Sequence, residues 1–320
     1  MSFSVICPTY NEEKFITDVI HFCIHSNPKP KEIFFIDGGS KDQTTEIIQN
    51  FILQDSSIEL LHNPDKIVPF ALNLAIPRCT GDIIIRLDAH THYAPDYFKS
   101  ILEVFNTVDT DIAGGPTRTA YHNSIQESVA YAFNCVFGMG NSSVHDPEFR
   151  GYTDSVTFGA WKKSIFSKTG LFDTQLKNNQ DDEFHYRAKS MGFKIFQDPT
   201  IKLFYYPRNT YKSLFRQYYN YGYFKPLVLK KIKTEVKLRH LVPSFFVLNF
   251  VMLLFSSHLI FLIPAILYLM LDLYFSFINK KPIKIKLLNL LTFPVIHAGY
   301  GLGFIIGLIF NLKNKKLNVG

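Results

Sequence analysis

Over the first 224 residues, short apolar runs alternate with stretches of helical periodicity, the pattern of a parallel α/β sheet with helices packed on it. Phe3 to Cys7 reads as the first strand. Pro8-Thr9-Tyr10-Asn11 breaks it, and Thr9 or Asn11 can cap a helix over about Glu12 to His25. Ile33 to Ile36 is a second strand, ending in Asp37-Gly38-Gly39-Ser40, with Ser40 placed to cap a helix from Asp42 to Leu53. Ile83 to Leu87 is a third, followed by Asp88-Ala89-His90. Polar groups therefore gather at the carboxyl ends of three strands, where open α/β sheets bind their ligands.

The pattern changes beyond residue 224. Leu241 to Phe277 contains one carboxylate, Asp272, and no Lys or Arg, and Leu287 to Leu312 contains no charge at all. At about 1.5 Å per helical residue the first run is longer than a hydrocarbon core of about 30 Å needs, so it reads as two short spans turning near Ser256-Ser257-His258. The second run reads as one more span, or as a re-entrant segment kinked at Pro294 and Gly299-Tyr300-Gly301. Basic clusters at 225–239, 280–286 and 313–316 flank these runs, and the first could bind a lipid phosphate beside the site or simply contact anionic headgroups. The expected organisation is an α/β domain over 1–224, a basic interfacial connector over 225–240 and three transmembrane helices within 241–320. A multi-pass protein of the cytoplasmic membrane, its α/β domain facing the cytosol, follows from that reading.

Charge follows the same division. Residues 1–224 hold 21 Lys+Arg against 25 Asp+Glu, a balance of −4, and residues 225–320 hold 13 against 2, a balance of +11; together they give the net +7. A chain that is 47% hydrophobic and 19% charged is not a disordered one. Cys7, Cys23, Cys79 and Cys135 form no C-x-x-C pair, which speaks against a disulfide framework or a thiolate zinc site and for a reducing compartment. The N-terminus lacks the pattern of a secretory signal. No G-x-G-x-x-G links the first strand to its helix, and no glycine-rich loop ends in Lys-Ser/Thr, so neither a dinucleotide dehydrogenase nor a P-loop NTPase is indicated. Gly301 and Gly303 lie in an apolar span and suit close helix packing.

The crevice beyond the strand ends is acidic. Carboxylates facing phosphates are favourable only with a divalent cation between them, which points to a metal-bridged diphosphate with Asp88 and His90 as candidate ligands. Taken alone, a loop Asp and a solvated His explain that pair equally well.

The ordered set Pro8-Thr9-Tyr10-Asn11-Glu12-Glu13, Asp37-Gly38-Gly39-Ser40-Lys41-Asp42, Asp88-Ala89-His90 and Gln180-Asp181-Asp182-Glu183 resembles glycosyltransferase family 2. The apolar tail extends the likeness to the membrane-attached branch that builds exopolysaccharides of the succinoglycan type. The resemblance implies a GT-A fold, Rossmann-like, with a mostly parallel open sheet flanked by helices. It further implies a nucleotide-sugar donor, in this reading a UDP-sugar, a Mn²⁺ or Mg²⁺ ion, and transfer with inversion to a polyprenyl-diphosphate-linked saccharide; nucleic acid is not an expected partner.

By the same resemblance Pro8, Tyr10 and Glu12 wall the nucleoside pocket. Asp37 hydrogen-bonds the pyrimidine, Asp42 lies in the same loop, Asp88 and His90 hold the metal, and Asp181 is the catalytic base with Asp182 beside it. His90 replaces the second carboxylate of a D-x-D motif, and imidazole favours Mn²⁺ over Mg²⁺. Gln180 stands where the family has Glu. Gly159-Ala160-Trp161-Lys162-Lys163 resembles the segment under the acceptor site, where Trp161 stacks on a sugar or else belongs to the core. Gln217-Tyr218-Tyr219-Asn220-Tyr221 faintly resembles Q-x-x-R-W but lacks Arg and Trp, which favours transfer of single sugars over polymer synthesis. Two alternatives remain: a polyprenyl-phosphate sugar synthase, and a degenerate nucleotide-binding membrane scaffold.

Overall fold

The computed structural model describes residues 1–140, 143–232, 237–256 and 258–313. In chain order the elements are β1 (Phe3–Thr9), α1 (Ile16–His25), β2 (Glu32–Asp37), α2 (Thr44–Ile52), β3 (Ile58–His62), α3 (Val68–Ala75), β4 (Ile83–Arg86), β5 (His92–Tyr93), α4 (Tyr97–Thr107), β6 (Ile112–Gly114) and β7 (Thr117–Thr119). They continue with α5 (Ser124–Phe133), α6 (Val136–Met139), β8 (Gly151–Tyr152), β9 (Ala160–Lys162), α7 (Phe166–Thr169), α8 (Gln180–Ser190), β10 (Ile195–Gln197), β11 (Leu203–Tyr205), α9 (Tyr211–Lys231), α10 (Val242–Phe255), α11 (Leu262–Phe277) and α12 (Ile283–Lys313). Two compact units result: Met1–Arg118 with Ser143–Tyr205, and Thr119–Ser142 with Tyr206–Gly320.

The first unit is built on an eight-stranded sheet of order β3-β2-β1-β4-β9-β6-β10-β8, with a small three-stranded sheet, β5-β11-β7. β1 through β4 run parallel, with Thr9 opposite Asp37 and Val5 opposite both Ile33 and Ile85. β9 runs antiparallel between β4 and β6. Both faces of the sheet are covered, which is why its central strands read as unbroken apolar runs. Phe3, Val5 and Cys7 of β1 and Ile33 and Phe35 of β2 enter one core with Ile16, Ile20, Ile48 and Phe98; Ile6, Phe34 and Ile36 enter the other with Leu72, Ile84, Trp161 and Phe184. A slip of one residue in either strand would exchange the two sets, so the register is firmly held.

The second unit is helical. Thr119–Ser142 belongs to it because α5 is joined to α11 and α12 by buried polar contacts. The Ser128 hydroxyl lies 2.7 Å from Asn289 Oδ1 and 2.6 Å from Thr292 Oγ1, and the Tyr131 hydroxyl donates to the Phe275 carbonyl at 2.7 Å. An organisation cut once at 224 does not contain these pairings, which join residues about 150 positions apart in the chain and leave no local trace in it. Glycines let α9 and α12 touch backbone to backbone. A Cβ at Gly303 would lie 2.1 Å from the Tyr219 carbonyl oxygen, and one at Gly222 would lie 2.1 Å from that of Tyr300.

α10 and α11 turn Phe245, Leu248, Leu254, Phe255, Ile263, Leu267 and Met270 outward, while Asn249, Asp272 and Ser276 are buried. Among the described residues two helices, Leu259–Phe277 and Ile283–Phe310, are long and apolar enough to cross a membrane. α10 ends at Phe255 and a short helical turn opens at Leu259, while Ser257 of the expected turn lies outside the described residues; α10, with 14 residues, is too short for a third full span. α12 continues through Pro294 and the glycines without interruption, so the re-entrant alternative is not what forms. The expected connector is partly helical, since α9 extends to Lys231; residues 233–236 lie outside the described residues.

Candidate functional site

The site begins with two loops tied together at adjacent strand ends. Asn11, in a left-handed conformation at φ 56°, does not cap α1; its Oδ1 accepts from the Lys41 amide at 2.8 Å, and its own amide donates to Ser40 Oγ at 2.8 Å. The Glu12 amide donates to Thr44 Oγ1 at 2.7 Å, the Glu13 amide to Asp42 Oδ2 at 3.2 Å, and the Gln43 amide to Glu13 Oε2 at 3.1 Å. α1 therefore starts only at Ile16, and α2 at Thr44, later than the sequence pattern predicts. Asp42 serves α2 itself, accepting from the Thr44 amide and hydroxyl at 3.1 and 2.6 Å. Burial alone would raise its pKa, but these donors together lower it.

Asp37 is buried at the carboxyl end of β2. Its Oδ2 accepts from the amides of Gly39 and Ser40 at 2.8 and 3.0 Å, and the Ser40 hydroxyl donates to Oδ1 at 2.5 Å. The turn needs Gly39, whose φ of 82° is ordinary only for glycine. Pro8 is half-buried in β1 opposite Ile36, and Tyr10 is 52% exposed, its ring edge over Gly38.

At the end of the neighbouring strand β4, His90 Nδ1 lies 3.1 Å from Asp88 Oδ1 and 3.0 Å from Glu12 Oε1. One ligand atom from each of the three residues falls within 4.8 Å of the others. Two carboxylate oxygens and an imidazole nitrogen form a donor set that suits a divalent ion such as Mn²⁺ or Mg²⁺, so the residues present fit the expected metal. Glu12, expected in the nucleoside wall, stands with this cluster. The field of the site is felt underneath: burial raises the Cys7 thiol pKa well above its usual value, and the nearby Asp88, Cys23 and Glu12 push it further up.

Asp181 lies in the first turn of α8, whose N-cap Asn179 sits in the left-handed region at φ 62°. Both Asp181 oxygens lie 2.7 Å from Nη1 of Arg86, the last residue of β4. Burial works against the Arg86 charge, but Asp181 and Asp88 more than compensate and raise its pKa. The acidic trio divides its duties: Glu183 is buried and paired with Arg187 at 2.8 Å, while Asp182 is half-exposed. Tyr10, Glu12, Asp37, Asp88 and His90 thus stand at or just beyond the carboxyl ends of β1, β2 and β4, and Arg86 ties Asp181 to the last of these strands.

Trp161 is not among them. The indole is fully buried, edge-on to Phe166, Phe172 and Phe184 with ring centroids 5.6–6.1 Å apart, and its Nε1 has no hydrogen-bond partner. β9 is a central strand, and the position that resembles an acceptor platform faces the core between sheet and α8. Sequence reasoning also passed over Arg86. The available signal was a charge set between Ile83-Ile84-Ile85 and Leu87, since a charge that is buried in such a run needs a counter-ion.

The model of glycosyl transferase family 2 matches residues 4–172, more than half of the chain, and the chain belongs to that family. It is similar to the succinoglycan biosynthesis protein ExoA of Rhizobium meliloti, at 27% identity over 75% of this chain and 73% of that protein. It is also similar to a dolichyl N-acetyl-α-D-glucosaminyl phosphate 3-β-D-2,3-diacetamido-2,3-dideoxy-β-D-glucuronosyltransferase of Methanococcus voltae, at 27% identity over 96% of this chain and 97% of that protein. Among solved structures, the mannosyltransferase PcManGT of Pyrobaculum calidifontis, in complex with GDP-Man and Mn²⁺, superposes with a TM-score of 0.63, covering 97% of this chain and 87% of its own, at 17% identity. The fold is GT-A, and the protein is a family 2 glycosyltransferase. The family match ends before Asp181, so α8 stands outside it.

Proposed function

We propose that the protein is an inverting glycosyltransferase moving a sugar from a nucleotide-sugar donor, in this reading a UDP-sugar, to a lipid-linked saccharide during extracellular polysaccharide synthesis. The observation that carries the reading is the convergence of Glu12, Asp88 and His90 beside Asp37 and the Arg86–Asp181 pair at the carboxyl end of one sheet. Tyr10, with its exposed ring, takes the base. Asp37, already accepting three hydrogen bonds, shapes the floor of the nucleoside pocket, with Pro8 beneath it and Asp42 fixing the adjoining loop.

Glu12, Asp88 and His90 hold a divalent cation, Mn²⁺ suiting the imidazole better than Mg²⁺. Held by these residues, such an ion would supply neutralisation of the charge on the donor diphosphate. Asp181 accepts the proton of an acceptor hydroxyl as that oxygen attacks the anomeric carbon opposite the leaving group, which inverts the configuration. Asp182, half-exposed beside it, binds the acceptor in this reading.

The acceptor class rests on two supports. The Methanococcus voltae relative is named for transfer onto a sugar joined to dolichyl phosphate. This chain itself carries two helices apolar enough to cross a membrane, which suits a multi-pass protein of the cytoplasmic membrane whose catalytic unit faces the cytosolic pool of nucleotide sugars. The test is to supply purified protein with nucleotide sugars and Mn²⁺ or Mg²⁺ and measure the nucleoside diphosphate released with lipid-linked saccharide, with bare polyprenyl phosphate and with neither. Release that depends on the saccharide supports the reading; release only with bare lipid phosphate, or none with any donor, refutes it. Asp181→Asn keeps donor binding and loses transfer.

A further inference from the structure

The candidate base is not free in this fold. Both Asp181 oxygens sit 2.7 Å from a single nitrogen, Arg86 Nη1, and the arginine side chain is only 6% exposed against 27% for the carboxylate. The guanidinium also packs on an aromatic ring, and the backbone of Arg86 is bonded to the residue after that ring. Its Cζ lies 5.4 Å from the centroid of the Phe158 ring, and the Arg86 amide donates to the Gly159 carbonyl at 3.2 Å. Phe158 adopts φ 58°, a region in which a bulky side chain is a true outlier. Asn179, immediately before α8, sits at φ 62°. Two left-handed residues from distant parts of the chain thus bracket one ion pair, and the Phe158 outlier puts its ring against the guanidinium. Arg86 Nε is buried and makes no hydrogen bond, and Nη1 makes the contact with Asp181.

We propose that Arg86, clamped by Phe158, is the positioning residue for Asp181, fixing the carboxylate where an acceptor hydroxyl must deliver its proton. The inference rests on the reading of Asp181 as base. Arg86 touches neither donor nor acceptor in this scheme; it acts by denying Asp181 other rotamers at the mouth of the cleft. Because one nitrogen serves both oxygens, a lysine retains the charge but stops one bond short of the carboxylate, so Arg86→Lys restores only part of what Arg86→Met removes.

The experiment uses the full-length protein and reads kcat, donor KM, Mn²⁺ affinity by EPR and thermal stability for Arg86→Met, Arg86→Lys and Phe158→Gly. Glycine accepts the left-handed backbone at 158 while removing the ring, so this variant is expected to fold even where Arg86→Met does not. The expected pattern is a fall in kcat of order 10²-fold for Arg86→Met, less for Arg86→Lys and at least about tenfold for Phe158→Gly. Donor KM and Mn²⁺ affinity should stay within about threefold of the parent. A role confined to folding would instead lower thermal stability and leave kcat per folded molecule unchanged, and that result overturns the proposal. If Asp181→Asn itself retains transfer, the underlying reading of the base fails; if Asp181→Asn is dead while Arg86→Met and Phe158→Gly turn over at the parent rate, only the positioning role fails.

Discussion

Replacing Trp161 separates the two roles its sequence context suggests. The indole is fully buried against Phe166, Phe172 and Phe184, so truncation to alanine opens a cavity in the core between sheet and α8. Trp→Ala changes at such sites cost about 3–5 kcal/mol. The indole Nε1–H is buried without a partner, and an unsatisfied buried donor costs about 1–3 kcal/mol that the mutation returns, so Trp161→Ala should fall near the lower end, about 3 kcal/mol. At roughly 2–4 °C per kcal/mol for a unit of this size, that is a loss of about 6–12 °C in Tm. Trp161→Phe keeps a ring among rings and deletes the orphaned donor, so the smaller cavity term, at about 24 cal/mol per Å³, is nearly offset and Tm should move by only a few degrees. The assay is thermal unfolding of the detergent-solubilised full-length protein, paired with acceptor KM for Trp161→Phe. A parent-like Tm with an acceptor KM raised tenfold or more would refute the reasoning, because it would mean that the ring reaches substrate.

Three further predictions concern other parts of the molecule. Glu12→Gln should weaken Mn²⁺ binding at least about tenfold in an EPR titration, whereas Glu13→Gln should not; equal affinities would remove Glu12 from the ligand set. Gly303→Ala should cost about 1–3 kcal/mol despite alanine's better helix propensity, because the new Cβ would meet the Tyr219 carbonyl at 2.1 Å and backbone cannot rotate away; an unchanged Tm would contradict the packing. His185 is fully buried, and burial lowers its pKa despite the nearby Asp181 and Asp182, which raise it. The unfolded chain then binds the proton more readily, so stability is complete above the ordinary histidine value of about 6.5 and is lost as pH falls below it. Chemical unfolding between pH 7.5 and 5 should show that loss, and His185→Gln should flatten it.

Much of the catalytic unit was legible in the sequence, for a definite reason. β1, β2 and β4 are buried on both faces, so each appears as an apolar run closed by polar residues, and the motifs after them fell at the strand ends as read. What was not legible depends on partners far away in the chain. Arg86 and Asp181 are separated by 95 positions, and neither motif announces the other. Glu12 joins Asp88 and His90 only because the loop around Asn11 is tied to residues 40–44 instead of starting a helix. Trp161 read equally well as a sugar platform or a core ring because β9 is a three-residue strand, too short to show which face it turns inward. In the helical unit, composition marked the apolar runs, but it did not show that α10 stops at 14 residues or that α5 returns to pack on α12.

The stitching between residues 11–13 and 40–44 bears on how tightly a donor can be held. Five backbone amides there are already satisfied by side chains of the opposite loop, so the wall proposed for the nucleoside has its shape before anything enters it. A visitor to such a wall need not pay to organise its host, and more of each contact it makes survives as affinity. Cutting one stitch, at Asn11 or Thr44, would therefore be felt as weaker capture of the nucleotide while the chemistry downstream ran at its usual pace.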